Sequence, residues 1–197
     1  PVRPMSGTPI LPEDFRFGVA TCGFQVEGGQ NGPGEPANNW FDWEAEGRVE
    51  PSRIAVDFWN RYEEHLDRVA AMGCDAFRLS VEWSRGEPAD GQLDDTAVER
   101  YRQILTACHD RGLEPLVTLH HFASPQWLLG LGGWHGERTP ALFARYVEQV
   151  MQMLAGRVRR VITLNEGNIG VLLRSIFEQI GMVPPIGIDV KAWKAPG

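Results

Sequence analysis

The chain has 197 residues, 43% of them hydrophobic, which suffices for a core of ordinary domain size and makes one domain the default reading. A formal net charge of -7, with no run of Lys or Arg, excludes the basic face that a nucleic-acid or anionic-membrane surface requires. No basic-then-apolar leader opens the sequence and no stretch approaches the roughly 18 apolar residues of a membrane span, so no membrane partner is expected and the cytoplasm is the expected location.

The first β-rich run is "FRFGVAT" (15–21), and it leads into a long connection, 22–56, rich in Gly, Asn and Pro. A helical period follows in "DFWNRYEEHLDRVAAMG", where Phe58, Tyr62, Leu66 and Val69 recur on one side and Gly73 supplies the stop. "DAFRLSV" (75–81) reads as the second strand. Asp94 is placed to cap a helix whose apolar side carries Val98, Tyr101, Leu105 and Cys108, ended by Gly112. "EPLVTLHH" (114–121) reads as the third strand, and Thr139 with Pro140 as the cap and first turn of a helix bearing Phe143, Tyr146, Val150 and Leu154. "RRVITLNE" (159–166) closes the series.

Strands alternating with helices imply right-handed βαβ units and a parallel sheet, and the nearly continuous apolar character of the strands suits cover on both faces. Arg78 to His121 spans 43 positions and His121 to Glu166 spans 45, a repeat in architecture without a repeat in sequence. Cys22, Cys74 and Cys108 are widely spaced, odd in number and lack a Cys-x-x-Cys pattern; they read as small buried hydrophobes. No His, Cys, Asp or Glu cluster has credible metal-ligand spacing, so neither a metal nor an organic cofactor is expected.

Each strand ends at its C-terminal side in groups that packing alone would not choose. The first runs on into Gln25 and Glu27, the second carries Arg78, the third ends in His120-His121 and the fourth in Asn165-Glu166. Parallel α/β folds gather those ends on one face, where their binding sites lie.

The blocks "FRFGVATCGFQVEG", "NNWFDWE", "DAFRLSVEWSR", "LEPLVTLHHFASP" and "VITLNEG", in order from about residue 13 to residue 166, resemble the signature blocks of glycoside hydrolase family 1, the β-glucosidase and β-galactosidase family. The resemblance implies an α/β fold, a (β/α)₈ TIM barrel, of which residues 1–197 cover the first four βα units as the N-terminal half of one catalytic domain. It implies a retaining hydrolase of terminal β-glycosides, taking a β-glycoside or oligosaccharide substrate. By position, Glu166 matches the family's acid/base and Arg78 the arginine that orients and supports the nucleophile. Asn165 matches the amide that holds the sugar 2-hydroxyl, and Gln25 and His121 match residues that bind the outer hydroxyls. The nucleophile, a second Glu on the seventh strand, has no counterpart here, since a whole barrel takes roughly 250 residues.

The chemistry supports these assignments. A general acid needs a raised pKa, for which a carboxyl at the end of a buried strand is suited, and an amide can only donate and accept hydrogen bonds to an orienting hydroxyl. Each residue also has a plain alternative: Glu166 as an ion-pair partner of Arg78, Arg78 as a structural partner of Glu82, His121 in the core and Gln25 capping a loop. His120 reads as structural. The sequence departs from the family at Gly167, where Pro is usual, and at Phe122, where Trp is commoner. A different class of reading is a non-catalytic half-barrel that binds sugar or pairs with a second half. Its open sheet edges favour self-association. A doubly wound nucleotide fold is disfavoured, because no Gly-x-Gly-x-x-Gly turn follows the first strand.

Overall fold

The structure, a computed structural model, describes residues 11–168. Four parallel strands, β1 (Gly18–Ala20), β2 (Ala76–Ser80), β3 (Glu114–His120) and β4 (Arg160–Leu164), form one sheet in the order β1-β2-β3-β4. This is the strand order of successive βα units in a (β/α)₈ barrel. Register is set by Ala20 opposite Arg78, Arg78 opposite Leu116 and Thr118 opposite Ile162.

Alternation along the strands divides their side chains between two faces. Phe77, Leu79, Val117 and Leu119 are buried in the main core with three helices, α3 (Phe58–Ala71), α5 (Asp95–Asp110) and α7 (Thr139–Met153). Those helices contribute Leu66 and Val69, Tyr101, Ile104 and Leu105, and Leu142, Tyr146 and Val150. Trp83 is fully buried where α7 meets the end of β2, its ring stacked on Tyr146 at 4.8 Å. The Tyr146 hydroxyl lies within hydrogen-bond distance of the carbonyls of Val81 (3.2 Å) and Leu119 (3.1 Å), fixing α7 against the mouths of two strands.

The helix boundaries follow from local chemistry. The Asp94 carboxylate accepts from the N–H groups of Thr96 (2.8 Å) and Ala97 (3.1 Å), as its position before α5 predicts. Gly112, at φ +71°, lets the chain leave α5 through a left-handed residue. At α7 the expectation needs correction: Arg138 is the cap and Thr139 lies inside the first turn. The Thr139 hydroxyl is engaged as a donor to the Gly133 carbonyl in the preceding turn, Gly133–His135, and caps nothing.

The long first connection carries two short helices, α1 (Gly23–Val26) and α2 (Phe41–Ala45). Two more, α4 (Trp83–Gly86) and α6 (Gln126–Leu129), follow β2 and β3. The expectation of strands covered on both faces is met on the helix side of β2 and β3, while Ala76, Arg78, Glu114 and Leu116 on the other side are half-buried, and it fails at β4. Four of the five residues of β4 are exposed, and Val161 and Leu164 each keep 39% of their surface open. Among the described residues β4 is the last strand of the sheet, and the chain turns helical at Gly167–Asn168, where those residues end. Cys22 and Cys108 are buried free thiols, pushed up to about 12 chiefly by burial, and Cys74 is half-buried.

Under α1 lies a buried polar cluster. Arg85 Nε donates to Glu27 Oε2 at 3.1 Å, and the Tyr101 hydroxyl donates to Glu27 Oε1 at 2.9 Å. Trp59 covers the Arg85 guanidinium at 4.3 Å. Glu82 accepts from the Ser80 hydroxyl at 2.8 Å, while its second oxygen is buried without a partner. Burial first, and then the Glu27 charge, push Glu82 up to about 8. Glu27 is raised too, by burial, against the pull of Arg85.

A group whose folded pKa is raised stabilises the fold below its unfolded pKa and loses that contribution as pH rises through the folded value. Between pH 6.5 and 8, above the unfolded values of Glu and His, Glu82 therefore contributes to the slope, with Glu27 beside it acting in the same direction. Chemical denaturation should show stability falling across that window, by up to about 2 kcal/mol at about 1.4 kcal/mol per pH unit per proton. Glu82→Gln should flatten the slope; an unchanged slope would show that Glu82 is already ionised in the fold.

Candidate active site

The C-terminal ends of the four strands form a polar rim. Arg78, half-buried on β2, directs Nε to the hydroxyl of Thr118 on β3 (2.8 Å) and Nη2 to Oδ1 of Asn165, just past β4 (2.6 Å). Its carbonyl accepts from both the N–H (2.8 Å) and the hydroxyl (2.9 Å) of Thr21, just past β1. Asn165 is 7% exposed, and its own N–H donates to the His120 carbonyl at 2.9 Å. A single residue thus ties the mouths of all four strands.

His121 follows β3 and is held from the first loop, the Cys22 thiol donating to its carbonyl at 3.6 Å. Its Nδ1 is buried without a hydrogen-bond partner among the described residues. Burial, and then the neighbouring Arg78 charge, hold the imidazole down to about 4, so it is neutral near pH 7. His120 is buried, its Nε2 2.9 Å from the Ser124 hydroxyl and its ring edge-on to Trp134 at 4.8 Å. Burial takes it down to about 3, in keeping with a structural role.

Gln25 and Glu27 need correction. They do not extend the first strand: Gln25 lies on α1 and Glu27 directly follows it. Gln25 is exposed, whereas Glu27 is 2% exposed and spent on Arg85, Tyr101 and Gln30. Two plain alternatives also give way. Arg78 pairs neither with Glu82, which turns to Ser80, nor with Glu166, since its bond is to Asn165. Glu166 is exposed, with a left-handed backbone at φ +45°, and among the described residues nothing buries its carboxyl. The structure thus joins Arg78 and Asn165 directly, sets His121 close enough to feel the Arg78 charge, and leaves Gln25 and Glu166 exposed, with no hydrogen bond from either side chain to another described residue.

Thr118 was not singled out from the sequence, although it stands 40 positions from Arg78, close to the spacing between strand units, as a hydroxyl inside an apolar run. Glu82, Arg85 and Tyr101 carry no such signal, because their partners lie up to 74 positions away.

Four parallel strands in sequence order, with polar side chains gathered at their C-terminal ends, match the start of a (β/α)₈ barrel and the face on which such barrels build their sites. The chain belongs to glycosyl hydrolase family 1, whose family model matches residues 8–193. That match runs past the 13–166 stretch of recognisable blocks, into residues that lie outside the described ones. It is 36% identical over 172 residues to a β-glucosidase of Agrobacterium sp. (strain ATCC 21400), covering 85% of this chain and 38% of that protein. It is likewise 36% identical over 165 residues to a 6-phospho-β-galactosidase of Staphylococcus aureus, covering 83% of this chain and 35% of that protein. Among solved structures, β-glycosidase BGL167 matches at 42% identity and a TM-score of 0.75, covering 91% of this chain and 46% of that one. A β-glycosidase from Pyrococcus horikoshii matches at 33% identity and a TM-score of 0.74, covering 83% and 37%. The chain therefore spans less than half the length of each of these relatives. Among the described residues no helix is long and apolar enough to cross a membrane.

A histidine whose pKa is lowered by folding stays neutral in the fold where the free side chain would be charged. In a side-chain NMR titration His121 should remain neutral at pH 5.5 and take up its proton near pH 4, with His120 titrating lower still. A His121 midpoint near 6.5 would show the ring to be open to solvent.

Proposed function

We propose that this chain is the N-terminal half of a retaining β-glycosidase that removes terminal β-D-glycosyl groups. The observation that supports the reading is the Arg78–Asn165 hydrogen bond, 2.6 Å across the strand mouths, which joins two of the assigned residues directly. In this reading Asn165 holds the sugar 2-hydroxyl, whose hydrogen bonds strengthen as oxocarbenium character grows. Neutral His121 offers a donor or an acceptor to an outer hydroxyl without adding charge next to Arg78, and Gln25 reaches a second hydroxyl from α1. Glu166 protonates the leaving oxygen and then draws a proton from water. Arg78 supports the nucleophile electrostatically.

Retaining hydrolysis needs a second carboxyl roughly 5 to 5.5 Å from the first across the anomeric carbon. Glu27 and Glu82 are each at most 2% exposed and spent in the cluster under α1, so neither is a candidate. The nucleophile is therefore assigned to sequence beyond this chain, in keeping with the 35–46% of their lengths over which the relatives match.

In the complete enzyme, Glu166→Ala should lower turnover of an alkyl β-glycoside by about 10²- to 10⁴-fold, the usual worth of general acid catalysis. A substrate whose leaving group needs no proton should still glycosylate the enzyme, and azide should restore its turnover by attacking the intermediate. Full activity on the alkyl glycoside would overturn the role of Glu166.

By itself, the 197-residue chain should release no p-nitrophenol from an aryl β-glucoside. It should sediment above monomer mass, because among the described residues β4 ends the sheet with Val161 and Leu164 exposed. Activity that disappears in Glu166→Gln would show that the second carboxyl lies within this chain or in another copy of it.

A further inference from the structure

The turn that follows His121 is held by a residue with no role so far. Asn39, in the first loop, is 4% exposed, and its carboxamide bridges two backbone groups of the turn after β3. Nδ2 donates to the Phe122 carbonyl at 3.2 Å, and Oδ1 accepts from the Ser124 N–H at 2.7 Å. The Asn39 N–H in turn donates to the Ser124 carbonyl at 2.9 Å. Because a carbonyl can only accept and an N–H can only donate, these partners fix which end of the amide is which.

Between the bridged groups the backbone does something unusual. Phe122 has φ +65°, a left-handed conformation that an aromatic residue rarely adopts unless its surroundings impose it. That turn begins at the residue directly after His121. The Phe122 ring meets the imidazole edge-on at 5.4 Å, and the His121 Nδ1 is left buried with no hydrogen-bond partner among the described residues. An unpaired buried ring nitrogen is costly in a finished fold and useful in a site that awaits a hydroxyl.

We propose that Asn39 is a positioning residue for His121: by clamping Phe122 and Ser124 it imposes the left-handed turn that sets the direction of the imidazole and leaves its Nδ1 unpaired. The use of that nitrogen by a sugar rests on the reading of His121 given above; the clamp itself does not. Aspartate cannot replace the amide, since it would set a carboxylate against the Phe122 carbonyl. Alanine leaves both backbone groups without their partner.

The test is long-range ¹H–¹⁵N NMR of the imidazoles in the 197-residue chain, with no sugar present. The parent is compared with Asn39→Ala, Asn39→Asp and Val150→Ala, the last a core truncation remote from the turn. In both Asn39 variants the His121 midpoint should rise by one pH unit or more and its tautomer signals should average, while His120 moves less. Val150→Ala should lower the melting temperature and leave the His121 titration in place. If the Asn39 variants lose stability as Val150→Ala does, with His121 midpoint and tautomer unchanged, Asn39 is only a structural staple and the proposal fails. Should Asn39→Ala not fold, Asn39→Ser, which can still serve one of the two groups, is read by the same criterion. Failure of a methyl β-glucoside to shift the His121 signals would sink the sugar-ligand reading alone, because the clamp is measured without it.

Discussion

A guanidinium set among strand ends has to be satisfied on several sides at once, and at Arg78 that requirement organises the mouth of the sheet. Its two bonded nitrogens need acceptors on the next strand and on the one beyond, supplied by Thr118 and Asn165. Its carbonyl takes two donors from Thr21 on the opposite side. Charge-assisted bonds of 2.6 and 2.8 Å are stronger than neutral ones, and strand register has to be right for all of them to form together. A slip of one residue would turn Thr118 to the helix side and bring Val117 or Leu119 to Arg78.

Around that tie the sheet carries two polar systems of different kinds. The cluster of Glu27, Glu82, Arg85 and Tyr101 is deep and mostly self-satisfied, and it fixes the base of α1. Among the described residues, the rim of Gln25, His121 and Glu166 holds side chains with spare hydrogen-bonding capacity. The Gly23 N–H donates to the Ser80 hydroxyl at 2.7 Å, and that hydroxyl donates to Glu82, so the turn carrying Gln25 is anchored on the cluster beneath it. A Cβ on Gly23 would come within 2.6 Å of the Glu82 side chain, which shows how closely α1 is seated there. Stability and display are thus divided between two layers of the same strand ends.

Much of this was legible in the sequence, because its signals are local. The strands are apolar runs of the right length, and Asp94 and Gly112 mark the ends of α5 by their own chemistry. The polar strand ends at Arg78, His121 and Asn165-Glu166 stood out against that apolar background. What escaped the sequence depends on partners far along the chain. Thr139 resembles a cap until Gly133 takes its hydroxyl, Glu27 resembles a rim residue until Arg85 and Tyr101 enclose it, and Asn39 gives no sign that its partners lie 83 and 85 positions away. The exposure of Glu166 was equally hidden, since burial of a strand-end carboxyl depends on what surrounds the strand and not on the strand itself.

Gly167 bears directly on the Glu166 backbone. A proline at that position would crowd the residue before it and drive it to extended backbone, near φ -120°. With glycine the crowding is gone, and Glu166 adopts φ +45°, a conformation that costs an L-residue about 1 to 2 kcal/mol. Where the family resemblance leads to an expectation of proline, glycine therefore leaves open to Glu166 a backbone region that proline would disfavour. Neighbouring Asn165 is held by Arg78 and by the His120 carbonyl, so that freedom begins beyond Asn165. The amide of the Asn-Glu pair is fixed by the sheet, while the direction of the acid is left to its own backbone and to whatever packs against it.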